Sequence, residues 1–447
     1  MVQRHSGAGF ESAAYIRSAE ALPTNYDIAS MIIGGRVPST VTMNRRWTLC
    51  LVSCCLMSSA PAVRATNAED VLRAELAQGL ARGMPSISVA IATRQGVIWS
   101  DAVGYADLPS RSLAHTGYLY GIGSITKMFV ACVIEQLVDE GRLSLDATGA
   151  ELLGSETVAG IPNAARATVR QLLDHTSGVP SWEFDSEWIR HGRGSAMDVA
   201  HIWGKTEALD YLKSGRDKAS NEPGLGYGYS NSNYTLLGLI IEKVTGHEAV
   251  LEIHERLLSP RGLTDIRFEG FEPVDAARVP SRYHFATADF VRDAGLHPSF
   301  RRVGRQLIDV SRSNLSTEWT AGAILATARD LALFVRDLRD GQVVGAAALR
   351  RMEAFKATDD RDEDMGQGLA LDRYGREQLI GYTGNVLGFG AAVGWVPGED
   401  VVVALLTNVG AMHAGDTAYY PEKLLKSSRV IEAARAVARE RASKTQN

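Results

Sequence analysis

Cysteine is scarce in this sequence, four in 447 residues, and three of them (Cys50, Cys54 and Cys55) crowd into one short stretch near the start. Removal of that stretch leaves Cys132 alone, and a lone cysteine cannot form an internal disulfide even in an oxidising compartment. Proline is also sparse, 14 in all, which excludes a proline-rich or low-complexity chain. Charge of one sign is missing too. The formal net charge is −5 with no long basic run, so the chain lacks the footprint of a protein that binds a nucleic-acid backbone. His247-Glu248 has no second histidine four residues on, so zinc-protease spacing is absent, as it is around His254. The apolar stretch Trp47 to Met57 is too short to span a bilayer as a stable helix, which needs about 20 apolar residues.

What is present is a globular composition. Hydrophobic residues make up 45% of the chain, enough to bury a large core in one large domain or two closely packed ones. Near the start, Met43-Asn-Arg-Arg precedes the apolar stretch, and the small residues Ala60-Pro61-Ala62 follow it. That order of charged, apolar and small segments is the order of a secretory signal, here 43–65, with cleavage expected after Ala62 or Ala65 and export to the periplasm or medium. Residues 1–42 do not resemble an export signal and read as a non-native extension, with translation beginning at Met43. Leu51-Val52-Ser53-Cys54 resembles a bacterial lipoprotein box, and lipidation at Cys54 is the one reading that attaches the chain to a membrane.

Beyond the leader, Ile87, Val89 and Ile91 alternate with small or polar residues, and Val97 to Tyr105 follows Gln95-Gly96, so the pair reads as a β-hairpin. Phe129, Val130, Val133, Ile134, Leu137 and Val138 recur at helical spacing, with Gly141 placed to stop the helix, which puts Ser124 at a helix start. Thr168-Val-Arg-Gln171 has capping-box spacing, and Thr327-Ala-Arg-Asp330 is a looser version of it. Leu236, Leu237, Ile240, Ile241 and Val244 trace another apolar face ending at Gly246. The period then returns to strands over 378–382, 389–396 and 401–407. Strands at both ends with helices between predict one sheet built from the two termini, with a mainly helical region inserted at about 125–340 and functional groups meeting at the seam. The domain is expected over 66–425, followed by a polar helix or tail at 426–447 in which 433–442 packs on the sheet.

Three short motifs can carry chemistry. Ser124-Ile-Thr-Lys127 places a serine and a lysine on one helical face, where a lysine of depressed pKa helps remove the serine proton. Taken alone, the same four residues read equally as an N-capping serine and a solvated lysine. Tyr229-Ser230-Asn231 stands on a shaped loop after a glycine-rich stretch. A phenol is a poor base unless a cation lowers its pKa, and Lys127 is the expected cation. Tyr382-Thr383-Gly384-Asn385 ends a strand, and its glycine lets a substrate approach the backbone. The amides of Ser124 and Asn385 are candidates for an oxyanion hole, against the plain alternative of a β-turn.

The segments Tyr120 to Lys127, Leu172-Leu-Asp-His-Thr-Ser-Gly-Val-Pro180, Pro223 to Gly246, Ala321 to Leu338 and Tyr382 to Asn408 occur in one order. Together they closely resemble the serine β-lactamase-like family, which contains class C β-lactamases, D-alanyl-D-alanine carboxypeptidases, D-aminopeptidases and related esterases. The resemblance covers about residues 70–425. It implies an α+β fold, a mostly antiparallel sheet flanked by helices with an inserted helical domain. It also implies Ser124 as nucleophile, Lys127 as its partner, Tyr229 as general base, and Asn231 as the residue that holds the substrate amide and orients Lys127. Tyr382, Thr383, Gly384 and Asn385 take the substrate-binding positions, and no metal or organic cofactor is needed. The activity implied is hydrolysis of an amide or ester in a small molecule or peptide through an acyl-enzyme, as a D-alanyl-D-alanine carboxypeptidase-like or D-amino-acid peptide hydrolase ahead of a carboxylesterase or weak β-lactamase.

One departure stands out. Class C β-lactamases begin the third motif with lysine, and this chain has Tyr382 there. A phenol supplies a hydrogen bond but no positive charge, and charge-assisted contacts are roughly twice as strong as neutral ones, so efficient β-lactam hydrolysis is not expected. Two rival readings stand beside this one: a Ser-His-Asp triad using Asp174-His175, which lacks a G-x-S-x-G elbow, and a non-catalytic binder of peptidoglycan fragments or β-lactams. Trp182, Phe184, Trp188 and Trp203, and the basic stretch 290–305, are further candidates for the border of the cleft.

Overall fold

The computed structural model describes residues 67–427 and 429–445. The expected extension at 1–42, the export signal at 43–65 and the lipidation site at Cys54 lie outside the described residues.

The centre is a nine-stranded antiparallel sheet. Its strands are β1 (Ser86–Thr93), β2 (Gly96–Asp107), β3 (Ser112–Leu113), β4 (Lys356–Ala357), β5 (Glu363–Met365), β6 (Ala370–Tyr374), β7 (Glu377–Val386), β8 (Phe389–Trp395) and β9 (Val402–Thr407). They lie in the order β4-β5-β6-β7-β8-β9-β1-β2-β3. The N-terminal hairpin therefore closes on the last long strand, with Ile87 opposite Thr407 and Ala92 opposite Val402. The expected α+β architecture, with one sheet made by both ends of the chain, is the one observed. The sequence reading missed β4, β5 and β6, which are short and carry charged residues that hide a period of two.

Alternation along the strands serves two cores. Ala90, Ala92, Val393, Ala404 and Leu406 face one side, and Ile87, Val89, Ile91, Val403 and Leu405 face the other. Helix α1 (Ala68–Ala81) and helix α5 (Val430–Thr445) cover the second face through Leu72, Leu76, Ala433, Ala434 and Val437. The first face takes α4 (Ala328–Arg339), which follows the N-cap Thr327, and behind it α2 (Thr126–Asp139). Phe129 of α2 stacks on Phe334 of α4 with centroids 3.8 Å apart. Truncating either ring to alanine is worth about 3–5 kcal/mol.

Helix α2 is buried on nearly all sides, which accounts for its run of apolar residues, and it ends just before Gly141, whose φ is +71°. Helix α3 (Asn231–Thr245) packs against it and ends on Gly246 with φ +81°. Thr168 and Gln171 form the predicted capping box at the start of 169–173. The middle of the chain is less purely helical than expected. One small sheet joins Tyr120–Gly121, Ile324–Ala326 and Ile266–Phe268, and another joins Val409–Gly410, Tyr283–Phe285, Leu307–Asp309 and Arg301–Val303. Strands of two or three residues are too short for a hydrophobic period to register.

Candidate active site

Tyr120–Gly121 leads into a tight turn, Gly123–Ile125, that delivers Ser124 to the first turn of α2. Strand β7 runs directly against that turn. A methyl group added at Gly384 would collide with the carbonyl oxygen of Ile122 and sit 2.9 Å from the amide nitrogen of Ser124. Gly123 has φ +53°, and a methyl there would sit 2.9 Å from the amide nitrogen of Asn385. Two glycines thus let the backbone of β7 approach the serine turn closely, beside the amides of Ser124 and Asn385.

Lys127 lies one helical turn beyond Ser124 and has no solvent exposure. Its Nζ donates to Ser124 Oγ at 3.0 Å, to Asn231 Oδ1 at 2.6 Å and to the Ala321 carbonyl at 2.8 Å. Those three acceptors match the three hydrogens of an ammonium. Burial nevertheless pulls the lysine down to about 7, against the opposing pull of the Glu183 and Glu318 carboxylates. A lysine poised near neutrality beside a serine hydroxyl can hold or take its proton.

Tyr229 OH lies 2.6 Å from Ser124 Oγ and 3.3 Å from Asn231 Oδ1. Its electrostatics correct the expectation from sequence. Burial and the Glu183 carboxylate push the phenol well above its ordinary value, outweighing the hydrogen bond from Ser124. Lys127 does sit 5.1 Å from the Tyr229 ring centroid, yet its own charge is disfavoured by the same burial, so it does not turn the phenol into a phenolate. The group with a depressed pKa is the lysine, and Tyr229 is a neutral hydroxyl able to relay a proton.

Asn231, 1% exposed, is engaged at both ends: Oδ1 accepts from Lys127, and Nδ2 donates to Glu183 Oε2 at 2.7 Å. This arrangement orients Lys127 and uses one of the two Nδ2 hydrogens. Tyr382, Thr383, Gly384 and Asn385 all line one cleft of about 360 Å³ with Ser124 and Tyr229, so the three motifs distant in sequence share one site. The Tyr382 hydroxyl is 96% covered together with its ring and finds no hydrogen-bond partner among the described residues.

The Asp174-His175 triad is not assembled. His175 is fully buried and its Nδ1 takes the Ser230 amide at 3.1 Å, while Asp174 accepts from Thr176 and from Lys356, each at 2.6 Å. Burial and the nearby Lys127 hold the imidazole well below its usual pKa. The aromatic candidates divide. Trp182 and Trp188 are core residues and Trp203 is nearly buried, whereas Phe184, 64% exposed, borders a hollow that adjoins the cleft at Tyr227 and Tyr229. The stretch 290–305 does not line the Ser124 cleft. Phe290 packs in the core, and Arg292 pairs with Asp289 and Asp293.

Sequence reasoning missed Glu183, which lines the cleft, is 4% exposed and is pushed by burial to about 7, with Lys127 opposing. The Arg193–Glu318 ion pair, buried beneath the site, and the Ala321 carbonyl were also unread, since neither carries a local pattern.

Known proteins resemble this chain in sequence and fold. Residues 71–425 match the family model described as Beta-lactamase. The solved structure of D-amino acid amidase from Ochrobactrum anthropi SV3 complexed with D-phenylalanine superposes with a TM-score of 0.71 at 26% identity, covering 85% of this chain and all of that one. The D-stereospecific amidohydrolase from Streptomyces sp. shares the fold at a TM-score of 0.67 and 24% identity, over 80% of this chain and 97% of that one. Penicillin-binding protein 4 of Amycolatopsis lactamdurans is 28% identical over 326 residues, 69% of this chain and 77% of that protein. Protein flp of Staphylococcus aureus is 30% identical over 187 residues, 42% of this chain, and the match spans only 35% of that longer relative.

Proposed function

Because the chain belongs to the Beta-lactamase family, we propose that it hydrolyses an amide or ester through an acyl-enzyme on Ser124, with D-amino-acid amides or peptides as the preferred substrates. The observation that carries this reading is the contact of one serine oxygen with both Lys127 Nζ at 3.0 Å and Tyr229 OH at 2.6 Å. Lys127, as the neutral amine, takes the Ser124 proton directly or through Tyr229, and Ser124 Oγ attacks the carbonyl carbon. The Ser124 and Asn385 amides receive the developing oxyanion. Tyr229 hands the proton to the leaving nitrogen or oxygen as the carbonyl–leaving-group bond breaks. Water then attacks the acyl-enzyme, losing its proton to the same pair, and the acid is released with Ser124 restored.

The choice of substrate rests on two supports. One is the likeness to the Ochrobactrum D-amino acid amidase over that enzyme's whole length. The other is Tyr382, which offers no positive charge to a substrate carboxylate and so disfavours carboxypeptidase and β-lactamase action relative to amide and ester hydrolysis. Esters are the second substrate class for the same reason. The leader-like segment at 43–65 supports an exported enzyme.

The test is intact mass of the purified protein after mixing with benzylpenicillin, alongside turnover of D-alanine p-nitroanilide and p-nitrophenyl acetate, with Ser124→Ala as control. An adduct and turnover that both vanish in Ser124→Ala are expected. Activity retained by Ser124→Ala overturns the mechanism, and an adduct that persists without turnover of any substrate points to a binding protein.

A further inference from the structure

One wall of the cleft is acidic well beyond the needs of the chemistry. Asp359, Asp360 and Glu363 line it together with Glu183, and no lysine, arginine or histidine is among its lining residues. Asp359, Asp360 and Glu363 form no ion pair with another side chain among the described residues, although the protein pairs most of its carboxylates elsewhere. Glu363 on β5 faces Asp372 on β6 directly across the sheet, and Asp372 is only 7% exposed. Like charges directly opposite each other on a sheet are destabilising, and the cation that acts on both, Lys426, is itself paired with Glu422. Burial, with Glu422 and Asp360 nearby, pushes Glu363 up to about 7, and burial together with Glu363 does the same for Asp372.

A second observation points into the same space. Tyr382 lines the cleft beside Glu363, and its hydroxyl is buried and without a partner among the described residues. A buried hydroxyl with no partner is costly until a ligand supplies one, and its lone pairs accept from an N–H donor. No three histidine, cysteine, aspartate or glutamate side chains converge on a metal geometry among the described residues. The wall therefore suits a diffuse organic cation better than a metal ion.

We infer that the substrate carries an ammonium or guanidinium group, additional to any α-amine, on the part that lies against Asp359, Asp360 and Glu363, with the Tyr382 hydroxyl accepting one of its hydrogens. This rests on the Ser124 cleft being the substrate site. It names a specificity opposite in sign to recognition of a carboxylate. A cation desolvated between these carboxylates is bound more tightly than its neutral isostere, and an anion is repelled.

The test measures binding to Ser124→Ala by calorimetry, so that it does not depend on turnover. One series places the charge in the acyl side chain: D-lysine amide, D-norleucine amide and D-glutamic acid α-amide. The other places it in the leaving group: D-alanine 4-(aminomethyl)anilide against D-alanine 4-methylanilide. All share the same free α-ammonium. The cationic member of at least one series is expected to bind ten-fold or more tighter than its neutral isostere, and the glutamate compound more weakly than either of its series partners. Adding Asp359→Asn, Asp360→Asn and Glu363→Gln together is expected to shrink that ratio to about two-fold, as is raising the salt from 50 to 500 mM with the original wall intact. Equal binding of cation and isostere in both series overturns the inference. So does a preference that survives both the triple substitution and the salt. Absence of hydrolysis by the unsubstituted protein, with the binding preference present, overturns the proposed reaction and leaves this inference standing.

Discussion

Asn231 stands between Lys127 and Glu183 as a bridge, its Oδ1 accepting from the lysine at 2.6 Å and its Nδ2 donating to the carboxylate at 2.7 Å. Both charged groups are buried, and burial moves both toward about 7, the lysine downward and the glutamate upward. They titrate as a pair, so a pH profile reports the pair and not either residue alone.

The first prediction concerns that profile. A base must be unprotonated to act, so kcat/KM is expected to rise with pH and level off above about 7, falling about tenfold per pH unit on the acid side. The Glu183 carboxylate raises the Lys127 pKa. Glu183→Gln removes that charge, the amine loses its proton more readily, and the acid limb moves to lower pH. A limb in the alkaline range would instead assign the base to Tyr229, whose pKa burial and the Glu183 carboxylate raise well above 10.

His175 separates structure from catalysis. Its ring packs 4.6 Å from the Tyr229 ring and its Nδ1 satisfies the Ser230 amide. His175→Ala leaves a cavity and a buried unsatisfied N–H, for a loss of about 2–4 kcal/mol in chemical denaturation. The acid limb near 7 is expected to persist in whatever protein remains folded. Loss of that limb with stability unchanged would restore the triad.

Gly384→Ala tests the backbone contact between β7 and the serine turn. The added methyl meets the Ile122 carbonyl oxygen, part of a rigid turn and not a side chain that can rotate away. Separation of the Ser124 and Asn385 amides is expected to cut acylation by benzylpenicillin about 10²- to 10³-fold, the cost of losing one oxyanion donor. Stopped-flow or time-resolved mass measurement reads it directly. Acylation within threefold of the parent would remove Asn385 from the oxyanion hole.

Tyr382→Lys places a cation at the acidic wall. The lysine is expected to speed acylation by benzylpenicillin, which bears a carboxylate, about tenfold, in line with the roughly doubled strength of a charge-assisted hydrogen bond. It should slow hydrolysis of a cationic D-amino-acid amide. An unchanged ratio of the two rates would show that this position does not read substrate charge.

Much of this was legible in the chain itself. Alternation at Ile87, Val89 and Ile91 and again over 401–407 predicted strands that pair, because a period of two has one physical reading when it is long enough. Helical spacing and terminal glycines placed α2 and α3 within a few residues, and a capping box placed the start of 169–173, since those signals act between near neighbours. The motifs at Ser124, Tyr229 and Tyr382 could be singled out, but each alone allowed a plain structural explanation.

Only the tertiary structure decided what those residues do to one another. A pKa depends on what surrounds a group, and the surroundings of Lys127 come from Asn231, Ala321, Glu183 and Glu318, which lie between 56 and 194 positions away in the chain. For that reason burial depresses the lysine pKa and raises that of the tyrosine. The acidic wall at Asp359, Asp360 and Glu363 was invisible for the same reason: three carboxylates in a polar stretch look like solvated surface until a sheet edge folds them over a serine. Local sequence dictates periodicity and caps because those are short-range effects, whereas burial and charge juxtaposition belong to the assembled fold.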